Sequence, residues 1–173
     1  MKKENHILTL IQAAMFLAIA FVLPFFTGQI PQIGAMLCPM HIPVLLCGFI
    51  CGWPWGLAVG FMSPLLRSFI LGMPPLFPKA ICMAFELATY GAASGIFHRI
   101  LPKKKSAIYG SLLIAMIMGR IVWGISMFIC MGCSGGTFGF SAFLAGAITN
   151  ALPGIIIQLI LIPILVMVEE KRQ

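Results

Sequence analysis

The run from Ile7 to Phe26 carries no ionised side chain, and it is as long as the roughly 20 apolar residues that a helix needs to cross a bilayer. Comparable runs recur almost to the end of the chain. Such segments cannot coat a water-soluble domain, so the sequence restricts the fold to one that uses lipid as solvent. The charge content agrees: 9% of residues are Asp, Glu, Lys or Arg, against about 25% in soluble domains. With about 20 residues per span and short loops, 173 residues hold five or six helices. The expectation is an all-α membrane protein, a six-helix bundle forming a single transmembrane domain over 1–173, with no room for a soluble domain. Lys2 and Lys3 before the first run imitate a signal peptide, but the run is long and lacks a small-residue cleavage site, so it reads as a retained helix.

Breaks in the pattern predict helices over 7–26, 39–52, 57–72, 79–99, 107–131 and 140–168. Pro39 and Pro43 fall in the first turn of the second helix, where a missing N–H costs no helical bond. Gly52, Trp53, Pro54, Trp55 and Gly56 read as a tight turn at a membrane interface. Pro153 and Pro163 are expected to kink the sixth helix. Lys2, Lys3, Arg99, Lys103, Lys104, Lys105, Lys171 and Arg172 then fall on one side, eight of the 11 Lys and Arg. The bias of Lys and Arg towards cytoplasmic loops places both termini and the 103–105 loop inside the cell. The loops 27–38, 72–78 and 132–139 face outward and are shaped by glycine and proline, as loops forming a binding mouth are.

The three remaining basic residues, Arg67, Lys79 and Arg120, lie within apolar segments, as does Glu86. A charge at membrane depth costs at least about 2.5–3.5 kcal/mol, so such residues mark a site by default. Glu86 follows Lys79 by two helical turns and shares its face, and Tyr90 continues that stripe one turn on. At 1.5 Å per residue, Glu86, Arg120 and Asn150 sit at similar depth in their helices. The simplest arrangement is an inward Glu86–Arg120 pair with Arg67 and Lys79 nearer the mouth. Three cations facing one anion invite an anionic ligand, and the guanidinium fork suits a carboxylate. Asn150, Tyr90, Gln29 and Gln32 offer polar contacts, and Trp123 and Phe77 offer apolar walls. The competing reading is a set of buried ion pairs that only fix a membrane scaffold.

His41, near the outer end of the second helix, is either a packed hydrogen-bond partner or a ligand contact at the mouth. Gln158 reads as interhelical packing. The six cysteines read as small packing residues, Cys130 and Cys133 included, and no metal site is expected. Ala14 and Ala18, four apart on the first helix, make either an internal packing face or a docking face for a separate membrane subunit. The chain has no G-x-x-x-x-G-K-[ST] phosphate loop, nucleophile elbow or H-E-x-x-H. It is expected to be neither an enzyme nor a cofactor carrier, and a small binding bundle without an energy source implies either facilitated movement or a partner that supplies the energy.

The stretches TGQIPQIGAMLCPMHIPVLLCGFICGW (27–53) and PLLRSFILGMPPLFPKAICMAFELATYG (64–91), with Ala14 and Ala18, resemble the substrate-binding S components of energy-coupling factor (ECF) vitamin transporters, and within them the pantothenate-specific subgroup. The resemblance covers most of the chain. It implies six helices with cytoplasmic termini, and a complex with a transmembrane coupling protein and two cytoplasmic ATPases. It implies docking through Ala14 and Ala18, and a vitamin held by the outer loops and outer ends of the fourth to sixth helices. Pantothenate, a monocarboxylate with amide and hydroxyl groups, fits the excess positive charge. A pyridoxine-type ligand or cobalamin is the alternative within the same class.

Overall fold

The computed structural model describes residues 6–27, 37–102, 105–135, 139–146 and 151–171. Every regular element among them is helical. We number the principal helices α1 (His6–Val22), α2 (His41–Cys51), α3 (Trp53–Leu71), α4 (Ile81–Ile100), α5 (Lys105–Cys133) and α6 (Leu152–Glu170). A 3₁₀ turn, Leu23–Thr27, prolongs α1, a π-helical turn, Leu76–Ala80, leads into α4, and a short helix, Phe140–Leu144, precedes α6.

Five of the described helical segments are long and apolar enough to cross a membrane: His6–Phe26, Trp53–Leu71, Leu76–Ile100, Lys105–Cys133 and Leu152–Glu169. The chain is therefore a multi-pass membrane protein. α2 has 11 residues, about 16 Å at 1.5 Å per residue, too short to cross alone. Its sequence, HIPVLLCGFIC, is apolar on all sides, as a helix surrounded by protein is, and nearly every residue of it is buried.

Local sequence accounts for the helix ends. The α-helical geometry of α1 gives way to a 3₁₀ turn around Pro24, whose ring cannot supply a helical N–H. α3 stops at Gly72, which adopts a left-handed φ of 68° and donates its N–H to the Ser68 carbonyl, the usual glycine terminator. Two expectations are corrected. The Trp-Pro-Trp segment is not a separate turn: Gly52, at φ 89°, makes the break, and Trp53 already begins α3 with Pro54 in its first turn. The sixth helix is not continuous over 140–168. α6 starts at Leu152, which puts Pro153 in its first turn and leaves Pro163 as its interior proline.

α4 is the most buried of the five spans and packs against α3, α5 and α2, while α2 also contacts α1, α3 and α6. Lipid gives apolar side chains no reason to leave it, so helices in a bilayer associate through close packing of small residues. α3 and α4 supply two G-x-x-x-G spacings, Gly56–Gly60 and Gly91–Gly95. A Cβ built on Gly91 would collide with the Gly56 carbonyl, and one on Gly60 with the carbonyl of Leu87. Gly91→Ala is thus expected to lower stability by about 1–3 kcal/mol, the usual cost of overpacking. A Cβ at Gly132 in α5 meets nothing within 4 Å, so Gly132→Ala should leave the melting temperature unchanged or slightly raised. Thermal unfolding in detergent compares the two.

On α1 the residues facing the bundle are Ala13, Phe16 and Ala20. Ala14 and Ala18 are exposed. Internal packing therefore does not explain their spacing.

Candidate functional site

Glu86 lies on the buried stripe of α4 and is 2% exposed. Three side chains converge on its Oε1. Arg120 of α5 donates from a terminal guanidinium nitrogen at 2.9 Å. Tyr90, one turn along α4, donates its hydroxyl at 3.2 Å. His41, the first residue of α2, brings Nε2 to 3.4 Å. The Tyr90 ring meets the His41 ring edge-on, with centroids 5.1 Å apart, and lies against Gly119 of α5, where a Cβ would clash with it. A second guanidinium nitrogen of Arg120 approaches Cys38 Sγ at 3.7 Å, just ahead of α2. The centre is thus assembled from three helices and one connecting segment.

Its charges nearly cancel. Arg120 offsets Glu86, and removing either would strand the other in a medium where an unpaired charge is costly. Arg120 nevertheless has capacity to spare. Its five N–H donors meet, among the described residues, one carboxylate oxygen and one thiol, a weak acceptor. His41 is 3% exposed, and neither ring nitrogen has a hydrogen-bond partner among the described residues. Its Nε2 is near enough to Glu86 for an ion pair if the ring is protonated, but not in hydrogen-bonding line.

The other candidate residues take different places. Arg67 is 5% exposed, donates to the Phe21 carbonyl at 2.8 Å and stacks over the Phe25 ring at 5.0 Å. That carbonyl belongs to the last turn of α1, where C=O groups lack helical partners and the helix dipole is negative. The structure thus turns Arg67 towards α1 and away from Glu86. Lys79 is exposed in the π-helical turn before α4, as is Phe77. The arrangement of three cations around one anion is not formed: Arg120 alone of the three meets Glu86, because depth along a helix does not fix the direction in which a side chain leaves it. Trp123, half-buried, stacks on Phe143 with centroids 6.2 Å apart. Gln158 is buried on α6. Gln29, Gln32 and Asn150 lie outside the described residues.

Arg67→Leu is expected to free the end of α1 and cost about 1.5–3 kcal/mol, the worth of a hydrogen bond to a charged group. Differential scanning of the purified variant measures it.

Sequence reasoning missed the approach of His41 to Glu86 and of Cys38 to Arg120. The only signal was the proline-flanked Pro39-Met40-His41-Ile42-Pro43 segment, which fixes where α2 begins. Cys38, Cys47, Cys51 and Cys82 are buried, Cys130 is half-buried and Cys133 exposed, and all six are free thiols. Among the described residues no three His, Cys, Asp or Glu side chains gather in a way that could hold a metal ion.

An apolar helical bundle with a polar centre built around one buried ion pair suits a carrier of small molecules, and the comparison with protein families decides which kind. The model of the ECF transporter substrate-specific component matches residues 8–166. The chain belongs to that family. It is therefore a transport subunit and not an enzyme. S components work with an energy-coupling module made of a transmembrane coupling protein and two ATPases. No curated protein and no solved structure was found to match this S component.

Proposed function

We propose that this S component is the high-affinity vitamin-binding subunit of an ECF-type importer in the cell membrane, and that its vitamin is pantothenate. The observation that carries the ligand class is the state of Arg120. Among the described residues it holds Glu86 with one donor and leaves most of its fork without a strong acceptor, and a planar guanidinium is shaped to receive a carboxylate in two parallel bonds. Tyr90, Glu86 and His41 provide hydroxyl, carboxylate and imidazole groups for the amide and hydroxyls of such a ligand. Asn150, Gln29 and Gln32 are proposed as further polar contacts. Lys79 and Phe77, both exposed, and Trp123 would form the outer rim, where a positive charge draws an anion towards the centre.

The proposed topology is a single transmembrane unit of six helices with cytoplasmic termini, with α2 in the second pass. Support comes from the exposed Lys105 and Lys171 and from Arg99 in the last turn of α4, on one side of such a bundle as the charge bias requires. The coupling protein would dock on Ala14 and Ala18, whose small side chains are exposed and let another helix approach closely.

Mass spectrometry of small molecules released from the gently purified protein tests the ligand assignment. Pantothenate recovered in near-stoichiometric amount is the expected result. Recovery of a pyridoxine-type or cobalamin ligand instead would move the assignment within the family.

A further inference from the structure

The balance of charge at the centre leads beyond the identity of the ligand. This step rests on the anionic-vitamin reading. Without ligand, Glu86 and Arg120 sum to zero and a neutral His41 adds nothing. A carboxylate arriving beside Arg120 would leave one uncompensated negative charge. Its surroundings are low in dielectric, so that charge interacts strongly and is costly to leave alone. Either the site accepts the imbalance or a nearby group changes its charge.

We infer that His41 takes up one proton from solvent as the ligand carboxylate binds, so that an anionic vitamin and a proton enter the site together. Among the described residues the groups facing the imidazole are Glu86 and Tyr90 from α4; Arg120 from α5 lies beyond Glu86, and Cys38, from the segment before α2, lies beyond Arg120. Among these only the imidazole has its unperturbed titration near neutral pH. The geometry also leaves both its nitrogens in want of a role: each is buried and neither has a hydrogen-bond partner among the described residues. A neutral ring has one donor and one acceptor, while an imidazolium has two donors. Protonated, His41 directs Nε2–H to Glu86 Oε1, 3.4 Å away, and holds Nδ1–H for an acceptor that the described residues do not supply and a ligand would. The final count is two cations, His41 and Arg120, against two anions, Glu86 and the carboxylate. No covalent bond changes; one proton moves from water to the imidazole. Glu86 is the less suitable recipient, because protonating it would weaken its bond from Arg120.

The test is calorimetric titration of purified protein at about pH 8, where a free imidazole is mostly neutral, in buffers of different ionisation enthalpy. Two probes are compared: pantothenate, and panthenol, its neutral analogue with an alcohol in place of the carboxylate. The expected result is uptake of about one proton per pantothenate and none with panthenol, with pantothenate affinity falling by about tenfold per pH unit on the alkaline side. His41→Gln should bind pantothenate at least about tenfold more weakly and without proton uptake. Tight pantothenate binding with buffer-independent heat would overturn the inference while leaving the ligand assignment standing. So would full proton uptake in His41→Gln. Failure of the folded wild type to bind pantothenate at all would remove the assignment, and this inference with it. The comparison of the two ligands on wild-type protein needs no variant, so it holds even if His41→Gln does not fold.

Discussion

Arg120→Gln is expected to lose both stability and ligand binding. The substitution leaves the Glu86 carboxylate, 2% exposed, with only the Tyr90 hydroxyl as a hydrogen-bond donor among the described residues, and breaking a buried pair in this way costs about 3–5 kcal/mol. Stability alone does not separate a binding centre from a structural ion pair, since both readings forecast the loss. The double variant Glu86→Gln, Arg120→Gln does separate them. It removes both charges and keeps polar groups of similar size, so much of the lost stability should return, as it often does when a whole buried pair is replaced. If the centre receives an anion, pantothenate binding stays lost. A scaffold whose ion pair only fixes the bundle would show recovered stability and unchanged vitamin uptake in cells. Thermal unfolding and ligand titration on the three proteins give the comparison.

The second large effect concerns transport without binding. Ala14→Leu combined with Ala18→Leu adds apolar bulk to a surface that the isolated subunit exposes. In lipid that change is nearly neutral, so the melting temperature and vitamin affinity of the purified S component should not move. Close approach of a partner helix would be blocked. Uptake by cells expressing the variant with its coupling module should fall at least about tenfold, the factor that loss of about 1.4 kcal/mol of docking energy produces. Co-purification of the coupling protein should fall with it. The same double change at Ala13 and Ala20, which face the bundle, should instead destabilise the subunit itself. Wild-type uptake by the Ala14, Ala18 variant would place the docking surface elsewhere.

Much of this was legible before the coordinates, for reasons particular to membranes. Apolar runs of spanning length identify helices because no other use of them is open to a chain in water. A Glu and an Arg in neighbouring spans are almost obliged to meet, since each is costly alone. That is why Glu86 and Arg120 could be paired from the sequence, although Arg120 lies further from the end of its helix than Glu86 does. The same reasoning failed for Arg67. An arginine can satisfy itself on backbone carbonyls and an aromatic ring as well as on a carboxylate, and the last turn of α1 with Phe25 offered both. Hydropathy did not register the break before Leu152, because the segments on each side of it are equally apolar. Nor did it distinguish the turn at Gly52 from the helix start at Trp53, where the deciding quantity is a single positive φ. The glycines that seat α4 on α3 were visible as two G-x-x-x-G spacings, and their meaning rests on which helix faces are buried. His41 was the least legible of all. The side chains it meets, Glu86 and Tyr90, come from another helix, α4, and nothing in its neighbours along the chain announces them.

The central claim is that the Glu86–Arg120 centre receives an anionic vitamin. Equilibrium binding of radiolabelled pantothenate to the purified subunit, competed with a panel of unlabelled water-soluble vitamins, tests it most directly. Saturable one-to-one binding is expected, displaced by pantothenate and not by the others, and absent from the Glu86→Gln, Arg120→Gln protein. Binding retained in that double variant, or no binding of any vitamin in the panel by folded wild-type protein, would contradict it.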